Sequence, residues 1–197
     1  MEKIAKNNKG FSLIELIVAV IILGVLSAGA VAGFSSVVNA RVDSATDRVV
    51  NVLKQARTTA LGMLNHTDSD NKTQIYARIY LENGNYYISI CRDTDVLLNE
   101  KICNDNISLV FQEHKIRADG TFTETDIVTV GDGNTDNDIV KLYFKKGTGE
   151  ISKVVAANYD DSDEDEKMGI NQIKVQGVKD SKNVILVAVT GRCYAGE

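Results

Sequence analysis

Few residues in this chain have both the type and the setting to do chemistry, and Glu15 comes first. It stands in Gly10-Phe11-Ser12-Leu13-Ile14-Glu15-Leu16, at the head of a stretch from Leu16 to Ala40 that holds no charged residue. A carboxylate at mid-membrane costs on the order of 2.5 to 3.5 kcal/mol, so Glu15 must lie near an interface or meet a cation. The chemistry it offers is ion pairing. Three cysteines follow, Cys91, Cys103 and Cys193. Cys91 and Cys103 bracket a short polar segment and form the candidate disulfide, which would stabilise by roughly 3 kcal/mol. Pairing of Cys193 with either one, and a fully reduced state, stay open. His66 and His114 show no ligand spacing with the cysteines, which argues against zinc.

Two acidic runs have the oxygen density of a cation loop. In Asp132-Gly133-Asn134-Thr135-Asp136-Asn137-Asp138, the side chains of Asp132, Asn134, Asp136 and Asp138 alternate as calcium ligands do. The sixth position is Asn137 and the twelfth Tyr143, where such a loop needs glycine and glutamate. The run from Asp160 to Glu166 is denser in charge and meets no turn glycine until Gly169. Calcium is therefore the one cofactor to weigh, against the simpler reading of solvated acidic loops. There is no glycine-rich phosphate loop, no nucleophile elbow and no catalytic spacing around either histidine, so no enzyme is expected.

The elements that must position Glu15 are set by hydropathy. As a helix, the charge-free stretch would be roughly 37 Å long at about 1.5 Å per residue, enough for a hydrocarbon core of about 30 Å. Lys3, Lys6 and Lys9 are the only basic residues before Arg41. The positive-inside rule then places the N-terminus in the cytoplasm and the remainder outside. A secretory signal would have a shorter apolar core, a small-residue cleavage site and no internal acid. A plain single-span anchor explains length and orientation but has no need of Gly-Phe followed by Glu at this offset.

The residues Gly10-Phe11-Ser12-Leu13-Ile14-Glu15-Leu16, with their short basic leader, resemble the class III leader junction of type IV prepilins and pseudopilins. The resemblance implies cleavage between Gly10 and Phe11 by a prepilin peptidase on the cytoplasmic face, and N-methylation of the new Phe11 amine. It makes Glu15 the family's assembly glutamate. A physical reason stands beside it: the carboxylate of one subunit neutralises the Phe11 amine of its neighbour in a low-dielectric bundle, where either charge alone would be costly. The implied partners are other pilins or pseudopilins in a helical filament, the peptidase and a pilus assembly platform. The implied location is a single-pass cytoplasmic membrane precursor, N-in and C-out, then a cell-surface filament.

With 197 residues the chain has room for a leader (1–10), a transmembrane and filament-core helix (11–40), an amphipathic continuation (41–65) and one extracellular β-rich domain (66–197). The absence of proline removes one way of kinking the long helix, leaving Gly24, Gly29 and Gly33 as its weak points. Val38, Val42, Ala45, Val49, Val52, Ala56, Ala60 and Met63 recur at steps of three and four, which predicts an amphipathic helix continuing to about Leu64. Beyond it, alternation predicts strands at 74–81 and 86–91 joined by an Asn83-Gly84 turn. Further strands are expected at 107–111, 126–130, 139–144, 150–155, 172–175 and 184–189, with loops at 145–149 and 177–183. A helix followed by a block of antiparallel strands is an α+β pilin-type fold.

The order of Gln55-Ala56-Arg57 near the helix end, a strand and glycine turn at 142–149, and a last hairpin closing in Thr190-Gly191-Arg192 resembles the GspH/FimT group of minor pilins and pseudopilins. Some members bind DNA through a C-terminal Gly-Arg-X-Arg motif. Here Gly191 and Arg192 match and Tyr194 replaces the second arginine. A formal net charge of −5 and a single arginine supply little phosphate neutralisation, which argues against nucleic acid as a partner.

Overall fold

The computed structural model describes residues 12–63, 73–104, 106–116, 122–130, 139–156, 159–160, 170–177 and 180–196, with side chains at 28–36, 38, 115, 116, 122, 159 and 160 excepted. The apolar run and the amphipathic run form one helix, α1 (Leu13–Gly62), ending two residues before the expected Leu64. The chain divides into two compact units, Met1–Val37 and Val38–Glu197. In the first, Leu13, Ile14, Leu16 and the apolar residues onward to Leu26 are exposed. Among the described residues no helix is long and apolar enough to cross a membrane. Residue 11 and the side chains of 28–36 and 38, all within the span expected at 11–40, lie outside the described residues.

In the second unit the three-and-four spacing does what it predicts. Val42, Ala45, Val49, Ala56 and Ala60 of that series have no exposed surface and join the core, as does Leu53, which the series did not include. Opposite them are β1 (Ile75–Glu82) and β2 (Asn85–Arg92), paired antiparallel. Ile75, Ala77 and Ile79 point inward while Tyr76, Arg78 and Tyr80 point out, the period of two that a half-buried strand requires. Asn83 (φ 49°) and Gly84 (φ 68°) make the turn, both in the left-handed region that a two-residue hairpin needs.

The next segment departs from expectation. The stretch after Cys91, expected as a polar loop, is strand β3 (Asp95–Asn104), paired with β2 through a turn at Asp93. That turn is pinned to the start of β1: the Gln74 amide donates to the Asp93 carboxylate at 2.7 Å, and the Tyr76 hydroxyl donates to the Asp93 carbonyl at 2.9 Å. Strands β4 (Ser108–Ile116), β5 (Phe122–Val130), β6 (Val140–Phe144), β7 (Ile151–Ala156) and the short β8 (Tyr159–Asp160) follow. The chain closes with β9 (Gln172–Gln176), β10 (Ser181–Val187), a 3-10 turn at Ala188–Thr190 and β11 (Arg192–Ala195). The loop expected at 177–183 is shorter than that, since β10 already pairs with β9 from Ser181.

Two antiparallel sheets result, in the orders β3-β2-β1-β6-β7-β8 and β11-β10-β9-β4-β5. Phe111, Ile173, Val175 and Val184 of the second sheet share one core with Ile88, Leu142 and Val154 of the first and with the α1 stripe. The α+β class is as expected. A polar chain running from the core to the surface ties the second sheet internally: Gln172 Nε2 donates to the Gln112 side-chain oxygen Oε1 at 2.9 Å, and Gln112 Nε2 donates to the Asp126 carboxylate at 2.5 Å. The buried carboxamides of Gln112 and Gln172 therefore each have a partner, and a desolvation penalty of about 1–3 kcal/mol per group is avoided.

Candidate functional site

Glu15 lies in the first turn of α1. Its carboxylate accepts from the Ser12 amide at 3.4 Å, a weak end-of-helix contact, and it faces no cation among the described residues. Exposed Leu13 (79%), Ile14 (70%) and Leu16 (61%) surround it. An acid in such a setting can do little alone, but it becomes a strong pairing site once a cation is brought to it in a medium poorer in water. The cleavage and methylation residues, Gly10 and Phe11, lie outside the described residues.

The candidate disulfide does not form. All three cysteines are free and buried. The register sets Cys103 opposite Tyr86 and Cys91 opposite Val96, so the two thiols lie toward opposite ends of the β2–β3 hairpin. At ~3.4 Å per residue the run from Tyr86 to Cys91 is about 17 Å, against roughly 4.4–6.8 Å between the Cα atoms of a disulfide. The correction follows directly from β3 being a strand, because a loop could have folded back and a paired strand cannot. Burial pushes the Cys103 and Cys193 thiols each up to about 12, which keeps both neutral.

The calcium candidates Asp132, Asn134, Asp136 and Asp138 lie outside the described residues, as do residues 161–166 of the second acidic run. Among the described residues no group of three or more His, Cys, Asp or Glu side chains could hold a metal ion.

Arg192 is where the tertiary structure adds most to the sequence reading. The side chain is exposed on β11, and with Tyr194 it lines a cavity of about 430 Å³ whose opposite wall is Lys54, Arg57 and Thr58 of α1. Arg57 is held there by its Nε, which donates to the Thr190 carbonyl at 2.7 Å. Three cations thus share a site where the sequence pattern offered one. In the sequence the other two stand as an i, i+3 pair on the polar face of the helix, Arg57 also within Gln55-Ala56-Arg57, with nothing to join them to Arg192.

A second missed feature is the outer face of the first sheet. Tyr76 and Tyr143 sit 5.1 Å apart between centroids, and Tyr80 stacks on Tyr87 at 5.6 Å. The Arg78 guanidinium lies 4.4 Å over Tyr80 and the Lys153 ammonium 4.7 Å over Tyr143. Such contacts are worth about 0.5–1 kcal/mol each at exposed sites, and they order this face.

Residues 5–31 match the family described as the prokaryotic N-terminal methylation motif. With the helix-then-antiparallel-sheet fold behind it, this indicates a type IV pilin-like chain carrying a prepilin leader. The match covers the leader and the first part of the apolar run, and none of the β domain. Neither the curated proteins nor the solved structures include a match to this chain.

Proposed function

We propose that this chain is a structural subunit, a minor pilin or pseudopilin, of a type IV pilus or type II secretion-like filament. Its activity is assembly, not catalysis. The leader is removed between Gly10 and Phe11, the new amine is methylated, and the precursor waits in the cytoplasmic membrane with its β domain outside. Glu15 then pairs with the Phe11 amine of a neighbouring subunit, and the exposed apolar face of residues 13–26 is covered by other helices. The observation that carries this reading is the methylation motif over residues 5–31, with Glu15 on an apolar helix facing no cation among the described residues. Because Glu15 is present, a further subunit can be received on it, which favours a position below the filament tip. Within that class the reading is a GspH/FimT-type subunit, supported by Gln55-Ala56-Arg57 near the helix end, the glycine turn at 145–149 and the last hairpin through Thr190-Gly191-Arg192.

Two measurements test this. Mass spectrometry after co-expression with a prepilin peptidase gives a chain starting at methylated Phe11, and an intact Met1 start would reject the reading. Glu15→Gln is processed normally yet enters filaments poorly, and equal incorporation would remove the pairing role.

A competence-type subunit that binds DNA is a second reading, favoured by one observation: Lys54, Arg57 and Arg192 line a single cavity. Duplex DNA should then be retarded by the full chain at low salt, with the shift lost on Arg192→Ala and weakened on Lys54→Ala. No shift at low salt sinks it.

A further inference from the structure

A separate cavity of about 320 Å³ plays no part in the reading above. Arg41, Ser44 and Arg48 form one wall from positions i, i+3 and i+7 of α1, and Lys101, Asn104 and Asn106 contribute to the other. Its size is that of a small-ligand pocket. Among the described residues three cations and no carboxylate line it, in a chain whose formal net charge is −5. Arg48 is aimed by one hydrogen bond, Nη1 donating to the Lys101 carbonyl at 2.7 Å. Arg41, Arg48 and Lys101 make no ion pair among the described residues. Their field is felt at Cys103 beside them: burial raises that thiol, while Lys101 and Arg48 pull it the other way.

Like charges gathered in a cavity repel unless an anion sits among them. A guanidinium fork with an ammonium, a hydroxyl and two carboxamides is a donor set that suits phosphoryl oxygens. The source of the phosphoryl group follows from chain position. Arg41 is the first charge after the run from Leu16 to Ala40, so in a membrane-anchored precursor it emerges at headgroup depth. We propose that the cavity lined by Arg41, Arg48, Lys101, Asn104 and Asn106 binds the phosphoryl headgroup of an anionic phospholipid on the outer leaflet of the cytoplasmic membrane. This rests on the membrane-anchored reading above. It adds that the β domain itself is tethered to the headgroup layer until assembly draws it away.

The test uses the full chain, nitrogen-labelled, in maltoside micelles, with the side-chain amides of Asn104 and Asn106 as reporters. Dihexanoylphosphatidylglycerol should shift both saturably, and the phosphatidylcholine analogue and inorganic phosphate should bind at least about tenfold more weakly. Arg41→Gln, which removes no described hydrogen bond and so leaves the fold intact, should weaken the phosphatidylglycerol titration by about tenfold. Equal response to inorganic phosphate would make this a soluble-anion site and overturn the lipid. Equal response to phosphatidylcholine, or no effect of Arg41→Gln, would overturn the headgroup pocket. Flotation on phosphatidylcholine vesicles separates the two readings. A chain that floats but shows no phosphatidylglycerol shift loses only the pocket, and one that does not float loses the anchor and with it the lipid ligand.

Discussion

Gly191 lies against the carbonyl of Gly149, so closely that a Cβ on Gly191 would overlap that oxygen. Both residues are left-handed, at φ 62° and 66°. On the other side of Gly149, a Cβ would meet Cγ of Arg57 at 2.9 Å and Cγ of Leu61 at 3.0 Å. The end of α1, the β6–β7 turn and the entry to β11 therefore cross where only glycine fits. Gly191→Ala should lose about 1–2 kcal/mol from the left-handed backbone and about 1–3 kcal/mol from overpacking. Denaturant unfolding of the full chain should show a lowered midpoint with an unchanged slope.

Arg57 holds the same crossing from the helix side. Arg57→Ala removes its hydrogen bond to the Thr190 carbonyl and the alkyl stem packed on Gly149, for an expected loss of about 1–3 kcal/mol. Arg57→Lys should recover less than half, since an ammonium cannot reproduce the Nε donor direction. Thermal unfolding of the two variants side by side checks this.

Leu53 tests the helix stripe. It has no exposed surface and sits in the cluster shared by both sheets. Leu53→Ala should cost about 2–5 kcal/mol, while Lys54→Ala next to it, on the exposed side, should stay within about 0.5 kcal/mol. Comparable losses at both positions would contradict the packing described here.

The thiols make a pH prediction whose sign is fixed. Cys103 and Cys193 are raised from an ordinary 9.0 to about 12 in the folded chain, by burial first. Their contribution is complete below pH 9, because both states are then protonated. It is lost as pH rises toward 12, because the unfolded chain releases these protons first. Stability should therefore fall between those limits. Both thiols should react with iodoacetamide far more slowly at pH 8 in the native chain than in denaturant.

The absence of a Cys91–Cys103 bond has its own consequence. Adding a reductant should leave the unfolding temperature unchanged, and a non-reducing peptide map should return both cysteines as free thiols. A fall in unfolding temperature on reduction would require a hairpin register other than the one seen.

Local periodicity carried much of this fold. The α1 stripe, the β1–β2 hairpin and the Asn83-Gly84 turn could be read in advance because each is written in neighbouring residues. Strand β3 could not. Asp95 to Lys101 is almost wholly exposed, including Val96 and Leu97, so it lacks the alternation that burial imposes on a strand. It is a strand because β2 offers it backbone partners.

From the sequence alone came the leader junction, the lone acid in its apolar setting and the long helix, all governed by interactions within a few residues or by transfer out of water. Only the tertiary structure decided which cations share a cavity, which thiols stay apart and where two glycines must touch. Those outcomes depend on strand register and on how α1 lies across the sheets, and a contact between residues more than a hundred apart, such as Arg57 with Thr190, leaves no periodic trace in either segment.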